Sequence, residues 1–189
     1  AKLDAMLSSP PDGLSRGENK APVAAWPVDL LRRERGRGRG NIAGYLMPEV
    51  VGTAPHQIYH PEDRRESFPL IRYDYLLGCA ASIAEVVSLL HREGYVVGDI
   101  NESNFLISNG GEATAIDADS FQVPDPSSGN VYSCEVGTRP YIPPELSGRK
   151  LSTVIRKEEH DRYGLAVLIF QLLMGRAPMQ SRYKGRGKR

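Results

Sequence analysis

Sulfhydryl chemistry is nearly absent from the 189 residues: Cys79 and Cys134 are the only cysteines. Two are too few for a disulfide framework, so a reducing compartment, the cytoplasm, is expected. Neither sign of charge is in excess. With 24 Lys and Arg against 23 Asp and Glu, the net charge of +1 gives no footing for a nucleic-acid or membrane partner. No uninterrupted apolar run reaches the ~18–20 residues that a spanning helix needs, and the N-terminus shows no signal peptide. Lysine is missing between Lys20 and Lys150. That gap removes one tempting reading, in which Gly36, Gly38 and Gly40 of the run RRERGRGRG cradle a phosphate. Such a loop belongs ahead of a Lys-bearing strand, and none follows. The Arg/Gly stretch is expected to be the solvated tip of a hairpin joining the apolar runs 23–31 and 41–51, with an anionic contact as the other reading.

What is present is an ordinary globular composition, 40% hydrophobic and 25% charged, in the length of one domain. The chain opens on Ala1 rather than Met, as expected of a piece of something longer. Its organising stretch is GYVVGDINESNFLISNGGEATAIDAD, residues 94–119. Two short apolar runs flank a Gly-containing turn, which predicts a hairpin. Asn104 stands just before the first run and Asp117 at the end of the second, so the hairpin brings an amide oxygen and a carboxylate to one end. Hard oxygen ligands of this kind suit Mg²⁺, which keeps its other positions for water and phosphate. Asp99, just ahead, is placed to meet a substrate hydroxyl.

Two helices follow from periodicity. Over Tyr73 to His91, the residues Leu76, Leu77, Ala80, Ile83, Ala84, Val87 and Leu90 recur at steps of three and four. Gly94 stops that helix, and His91 in its last turn is read as a packed side chain or dipole partner. The second run, DRYGLAVLIFQLLMG from Asp161, is apolar nearly all round, which predicts a helix buried on every side, with Asp161 as an N-cap. Between the helices lies GTRPYIPPE, residues 137–145.

Together these motifs resemble the protein kinase superfamily. Asp99, Asn104 and Asp117 match the three polar anchors of its catalytic and metal-binding loops. Gly137, Thr138, Tyr141, Pro144 and Glu145 match the spacing of its activation-segment ending. The sequence departs from the pattern at Val97-Gly98, where the family has His-Arg, at Asn101, where it has Lys, and at Ala118-Asp119, where it has Phe-Gly. The stretch 116–121 with the 137–146 ending is similar to bacterial kinase-like proteins, some of which carry helix-hairpin-helix modules. The resemblance implies an α+β, protein kinase-like fold with partial N-lobe strands over residues 1–50 and a mainly helical C-lobe over residues 51–189. Its glycine-rich strands, Lys-bearing strand and later C-lobe helices are not in this sequence.

The resemblance also implies roles. Asp99, Asn101, Asn104 and Thr138 would form the catalytic set, with Asp99 taking the hydroxyl proton and Thr138 bonding to Asp99. Met47, at the gatekeeper, and Glu49 and Val50, at the hinge, would meet adenine over Leu106. Asn104 and Asp117 would hold Mg²⁺, with Asp117 also facing the nucleotide. Asp161 would accept backbone N–H groups of the catalytic loop, and Glu145 would await an Arg that this sequence lacks. The implied reaction is transfer of the ATP γ-phosphoryl group to a Ser or Thr hydroxyl of a protein substrate. A small-molecule kinase and a catalytically dead binding module are the alternatives. Because Gly98 replaces the loop arginine, no cation is expected for a phosphorylated activation segment, and activity is expected to be independent of such phosphorylation.

Overall fold

The computed structural model describes residues 1–17, 20–33 and 40–180. The tip of the Arg/Gly stretch, including Gly36 and Gly38, and the basic tail from residue 181 lie outside the described residues. Helix α1 (Lys2–Ser8) buries Ala5 and Met6. Strands β1 (Asp29–Arg32) and β2 (Ile42–Leu46) pair antiparallel, with a register shift between Leu31 and Arg32. The expected hairpin is therefore present but shorter. Residues 23–26 do not extend it; Ala25 N–H donates to Ala115 O at 2.8 Å and Ala115 N–H to Val23 O at 2.9 Å. Trp26 explains the departure. Its ring is buried, stacks edge-on to Tyr95 at 4.9 Å, and donates Nε1–H to Met6 O at 2.9 Å. Burying so large a surface outweighs two more hairpin pairs.

The polar stretch after the hairpin folds as α2 (Pro55–Tyr59) and α3 (Pro61–Ser67). Each opens on a proline, whose fixed φ and missing N–H suit the first helical position. Helix α4 (Tyr73–Arg92) follows, and Gly94 beyond it adopts φ 81°. Its buried stripe is Leu76, Cys79, Ala80, Ile83, Val86, Val87 and Leu90. Leu77 points outward, since the stripe tracks the 3.6-residue period through Cys79 and Val86 instead. By length and hydropathy alone α4 could cross a membrane, a test that run length had answered otherwise, yet its apolar stripe forms the core.

Strands β3 (Phe105–Ile107) and β4 (Ala113–Ala115) pair antiparallel as expected, with Phe105 facing Ala115. Thr53 bridges to Ile107 on the far side of β3, and Ala24 to Ala115 beside β4, so the small hairpin is flanked on both edges. A second hairpin joins β5 (Val123–Asp125) to β6 (Asn130–Tyr132). The Asp125 carboxylate closes its turn by accepting Ser127 N–H and the Ser127 and Ser128 hydroxyls.

Helix α5 (Glu158–Met174) begins four residues earlier than expected, so Asp161 lies inside its first turn and is not the N-cap; Lys157 is. Nor is it buried on every side. Gly164, Val167, Leu168, Gln171 and Leu172 face the core, while Met174 is 55% exposed and Leu165, Ile169 and Leu173 are half-buried. The core joins α4, β3, β4 and α5 around Ile83, Leu90, Phe105, Phe121, Leu168 and Leu172.

Candidate active site

The catalytic loop, residues 97–104, is held from below by α5. Asp161, 1% exposed, accepts Val97 N–H on Oδ2 and Gly98 N–H on Oδ1, each at 2.8 Å. His91 Nε2 lies 2.8 Å from the same Oδ2, so the packed reading of this histidine describes its place. Gly164 lets α5 come close: a Cβ there would stand 3.2 Å from Tyr141 O and 3.3 Å from Ile100 Cβ.

Three bonds hold the nearly buried Asp99 carboxylate. Its Oδ1 accepts Thr138 N–H at 2.8 Å, and Oδ2 accepts the Thr138 hydroxyl at 3.3 Å and Asn104 Nδ2–H at 3.4 Å. Asn101 is buried and committed, donating to Asp99 O at 3.2 Å and Thr138 Oγ1 at 3.4 Å while accepting Ser103 N–H at 2.8 Å. Asp99, Asn101, Asn104 and Thr138 thus form one hydrogen-bonded group. Asn101 fixes its shape and has no donor left for a substrate.

Asn104 Nδ2 also donates to Asp99 O at 2.9 Å, and no described residue donates to its Oδ1. Ile116 N–H bonds to Asn104 O at 2.9 Å, which brings the start of the Asp117 turn beside it. Asp117 itself adopts φ 59°, a left-handed conformation for a residue with a side chain. Burial first, then the neighbouring Asp119 and Asp99 charges, raise its carboxyl pKa above the ordinary value. An anion made unfavourable in this way gains from a cation. Among the described residues no cluster of three His, Cys, Asp or Glu side chains could hold a metal. One carboxylate and one free amide oxygen fit an ion that keeps waters and takes phosphate oxygens, as Mg²⁺ does.

The cleft beside Asp117 has a volume of about 580 Å³ and is lined by Lys2, Asp119, Ser120, Glu135 and Val136 among others. Burial lowers the Lys2 pKa against the pull of the surrounding acids. Tyr45 donates to Asp119 Oδ1 at 2.7 Å, and burial with that bond raises the phenol pKa. Of the expected nucleotide contacts, Leu106 sits on the outer face of β3 between the buried Phe105 and Ile107. Met47, Glu49 and Val50 lie on the segment that leaves β2 and returns to β3 through Thr53; Met47 is 50% exposed.

Several residues here escaped the sequence reading. Glu102 accepts the Tyr141 hydroxyl at 2.9 Å and also that of Tyr59, and Gln171 Nε2 lies 3.4 Å from Tyr59 Oη. This cluster ties the catalytic loop to α2, to the 137–145 segment and to α5. A cation does stand beside Gly98: Arg156 Nη1 donates to Gly98 O and its Nη2 to Val136 O, so both ends of the guanidinium are engaged by backbone oxygens. It arrives from a segment 58 residues away, and no local motif announces it. Glu145 is exposed and makes no ion pair among the described residues.

The family described as "Protein kinase domain" matches residues 63–188, well over half of the chain. The chain belongs to the protein kinase family. The match takes in the catalytic loop, the β3–β4 hairpin, the 137–145 segment and α5. Among curated proteins the chain is similar to "Protein kinase YegI" of Escherichia coli K12, 41% identical over 155 residues, which are 80% of this chain and 23% of that protein. It is also similar to an "Aurora kinase" of Dictyostelium discoideum, 33% identical over 103 residues, 52% of this chain and 24% of that one. "Rho-associated protein kinase let-502" of Caenorhabditis briggsae is 32% identical over 100 residues, 52% of this chain and 8% of that protein. The chain thus spans about a quarter or less of the length of these kinases. Kinases of this family use ATP with a divalent metal.

Proposed function

We propose that the chain carries the catalytic and metal-binding loops of a bacterial, cytoplasmic Ser/Thr protein kinase, which transfers the ATP γ-phosphoryl group to a protein hydroxyl. Residues 1–50 would serve as part of its N-lobe and residues 51–189 as part of its C-lobe. The observation that carries the reading is the held Asp99 carboxylate, gripped by Thr138 through both N–H and hydroxyl. The two residues come from motifs 39 positions apart, and their meeting serves a positioned base that accepts a proton from a substrate hydroxyl. Asn104 keeps Oδ1 free and Asp117 holds a carboxylate that favours a cation, so these two would hold Mg²⁺. Bound there, the ion would neutralise charge on the transferring phosphates. Leu106 would support adenine, and the backbone of Glu49 and Val50 would bond to it. Lys2 lines the cleft together with Asp117. Catalysis rests on positioning and charge neutralisation.

The test begins with thermal unfolding of the protein with and without Mg-ATP, beside Asp117→Ala. A ligand at about 100 times its Kd adds about 2.7 kcal/mol of stability. An upshift that needs Mg²⁺ and disappears in Asp117→Ala supports the site. Phosphate transfer to a panel of proteins, against a panel of sugars and aminoglycosides, then separates protein from small-molecule kinases. One observation favours the binding-module reading: Asn101, in the place of the loop lysine, is wholly engaged by the loop itself. No Mg-ATP shift and no transfer to either panel would decide for it.

A further inference from the structure

Gly98 lies at φ 78°, and a Cβ there would stand 2.6 Å from Cys134 Cβ and 3.0 Å from Arg156 Nη1. No side chain fits at 98 while those groups stay in place. The space that a loop residue vacates is filled by Arg156, 4% exposed. Its Nη1 donates to Gly98 O and its Nη2 to Val136 O. No carboxylate pairs with it among the described residues, and Nε has no partner. A buried guanidinium without a counter-ion is costly, so something must hold it there. Gln122 does. Its Oε1 accepts Arg156 N–H at 2.7 Å and its Nε2 donates to Arg156 O at 2.9 Å. Gln122 is in turn paired through its backbone with Val96, at 2.8 Å and 3.3 Å, just ahead of the catalytic loop.

We propose that Arg156 is a positioning residue that locks the catalytic loop to the activation segment in the place of a phosphate on that segment. This rests on the kinase reading above. Gly98 immediately precedes Asp99, and Val136 stands two residues before Thr138, whose N–H holds the Asp99 carboxylate. One planar fork therefore fixes both ends of the Asp99–Thr138 contact. A guanidinium can address two carbonyls in one plane, whereas an ammonium is a single point. The arginine is spent on backbone oxygens, so a phosphate has no free cation to recruit there.

The experiment compares the full-length protein with Arg156→Met and Arg156→Lys by steady-state kinetics and by hydrogen exchange at the Thr138 amide. The expected result for Arg156→Met is kcat lower by about tenfold with KM for ATP within about twofold. Thr138 exchange should be faster by about tenfold or more while α4 amides keep their protection. Arg156→Lys should fall between, and phosphatase treatment should leave wild-type kcat unchanged. The proposal is overturned if wild type transfers phosphate and either kcat in Arg156→Met matches it or dephosphorylation collapses wild-type kcat. If wild type transfers nothing, the kinase reading has failed and Thr138 exchange decides alone: faster in Arg156→Met supports the clamp, unchanged rejects it. Should Arg156→Met not fold, Gln122→Leu, which frees the arginine's backbone and keeps its guanidinium, carries the same comparison.

Discussion

Replacing Asp161 with asparagine removes a charge and one acceptor while keeping the shape of the side chain. Three groups point at the carboxylate at 2.8 Å: Val97 N–H, Gly98 N–H and His91 Nε2. The new NH₂ must face at least one of those donors, which leaves a buried N–H without a partner at about 1–3 kcal/mol. The bonds that survive fall from charged to neutral strength, a loss of about 1 kcal/mol each. Asp161 is almost wholly buried, so water does not make good the difference. The expected destabilisation is about 3–5 kcal/mol, which lowers Tm by roughly 10 °C or more in a domain of this size. Urea unfolding followed by fluorescence of the single tryptophan, Trp26, reads the loss directly, because that ring is buried against Tyr95. The midpoint should fall with m unchanged, and the Val97 and Gly98 amides should exchange faster. A loss below about 1 kcal/mol, or intact protection at those two amides, would refute the view that Asp161 holds the catalytic loop.

Gly98→Ala combines left-handed backbone strain with a clash against Cys134, and about 2–4 kcal/mol of stability should be lost; an unchanged Tm would show that the contact yields easily. The raised Asp117 pKa means that the folded state holds its proton more tightly than the unfolded one. The associated stability is full below the unfolded carboxyl pKa of about 4 and lost as pH rises through the folded value. Asp117→Asn without metal should therefore be at least as stable as wild type at neutral pH, with the difference closing in acid, and a less stable variant at neutral pH would contradict this. Metal affinity should rise with pH over the same window, since proton and cation compete for one carboxylate. Burial pushes the Cys79 thiol up to about 11, so native protein at pH 8 should resist alkylation at Cys79 and label only in denaturant; quick native labelling would count against the core placement.

The elements that follow from local physics were legible in the chain. Periodicity located α4 almost to its ends, and the Gly-rich turn announced β3 and β4, because both patterns depend on neighbours within a few positions. Motif spacing marked Asp99, Asn104, Asp117, Thr138 and Asp161 as a set and assigned this chain to its family. What spacing could not supply was which groups meet. On α4 Leu77 is exposed and Cys79 buried, a difference that counting apolar residues does not reveal. Residues 23–26 leave the hairpin because Trp26 has a better place against Tyr95 and Met6. Above all, a glycine where an arginine was expected reads as a missing charge, and only the fold shows the charge delivered from Arg156. Local sequence determines backbone preference and periodicity, whose energies act over a few residues. The occupancy of a buried volume is decided by whichever distant side chain fits it and finds partners there, and that is settled in three dimensions.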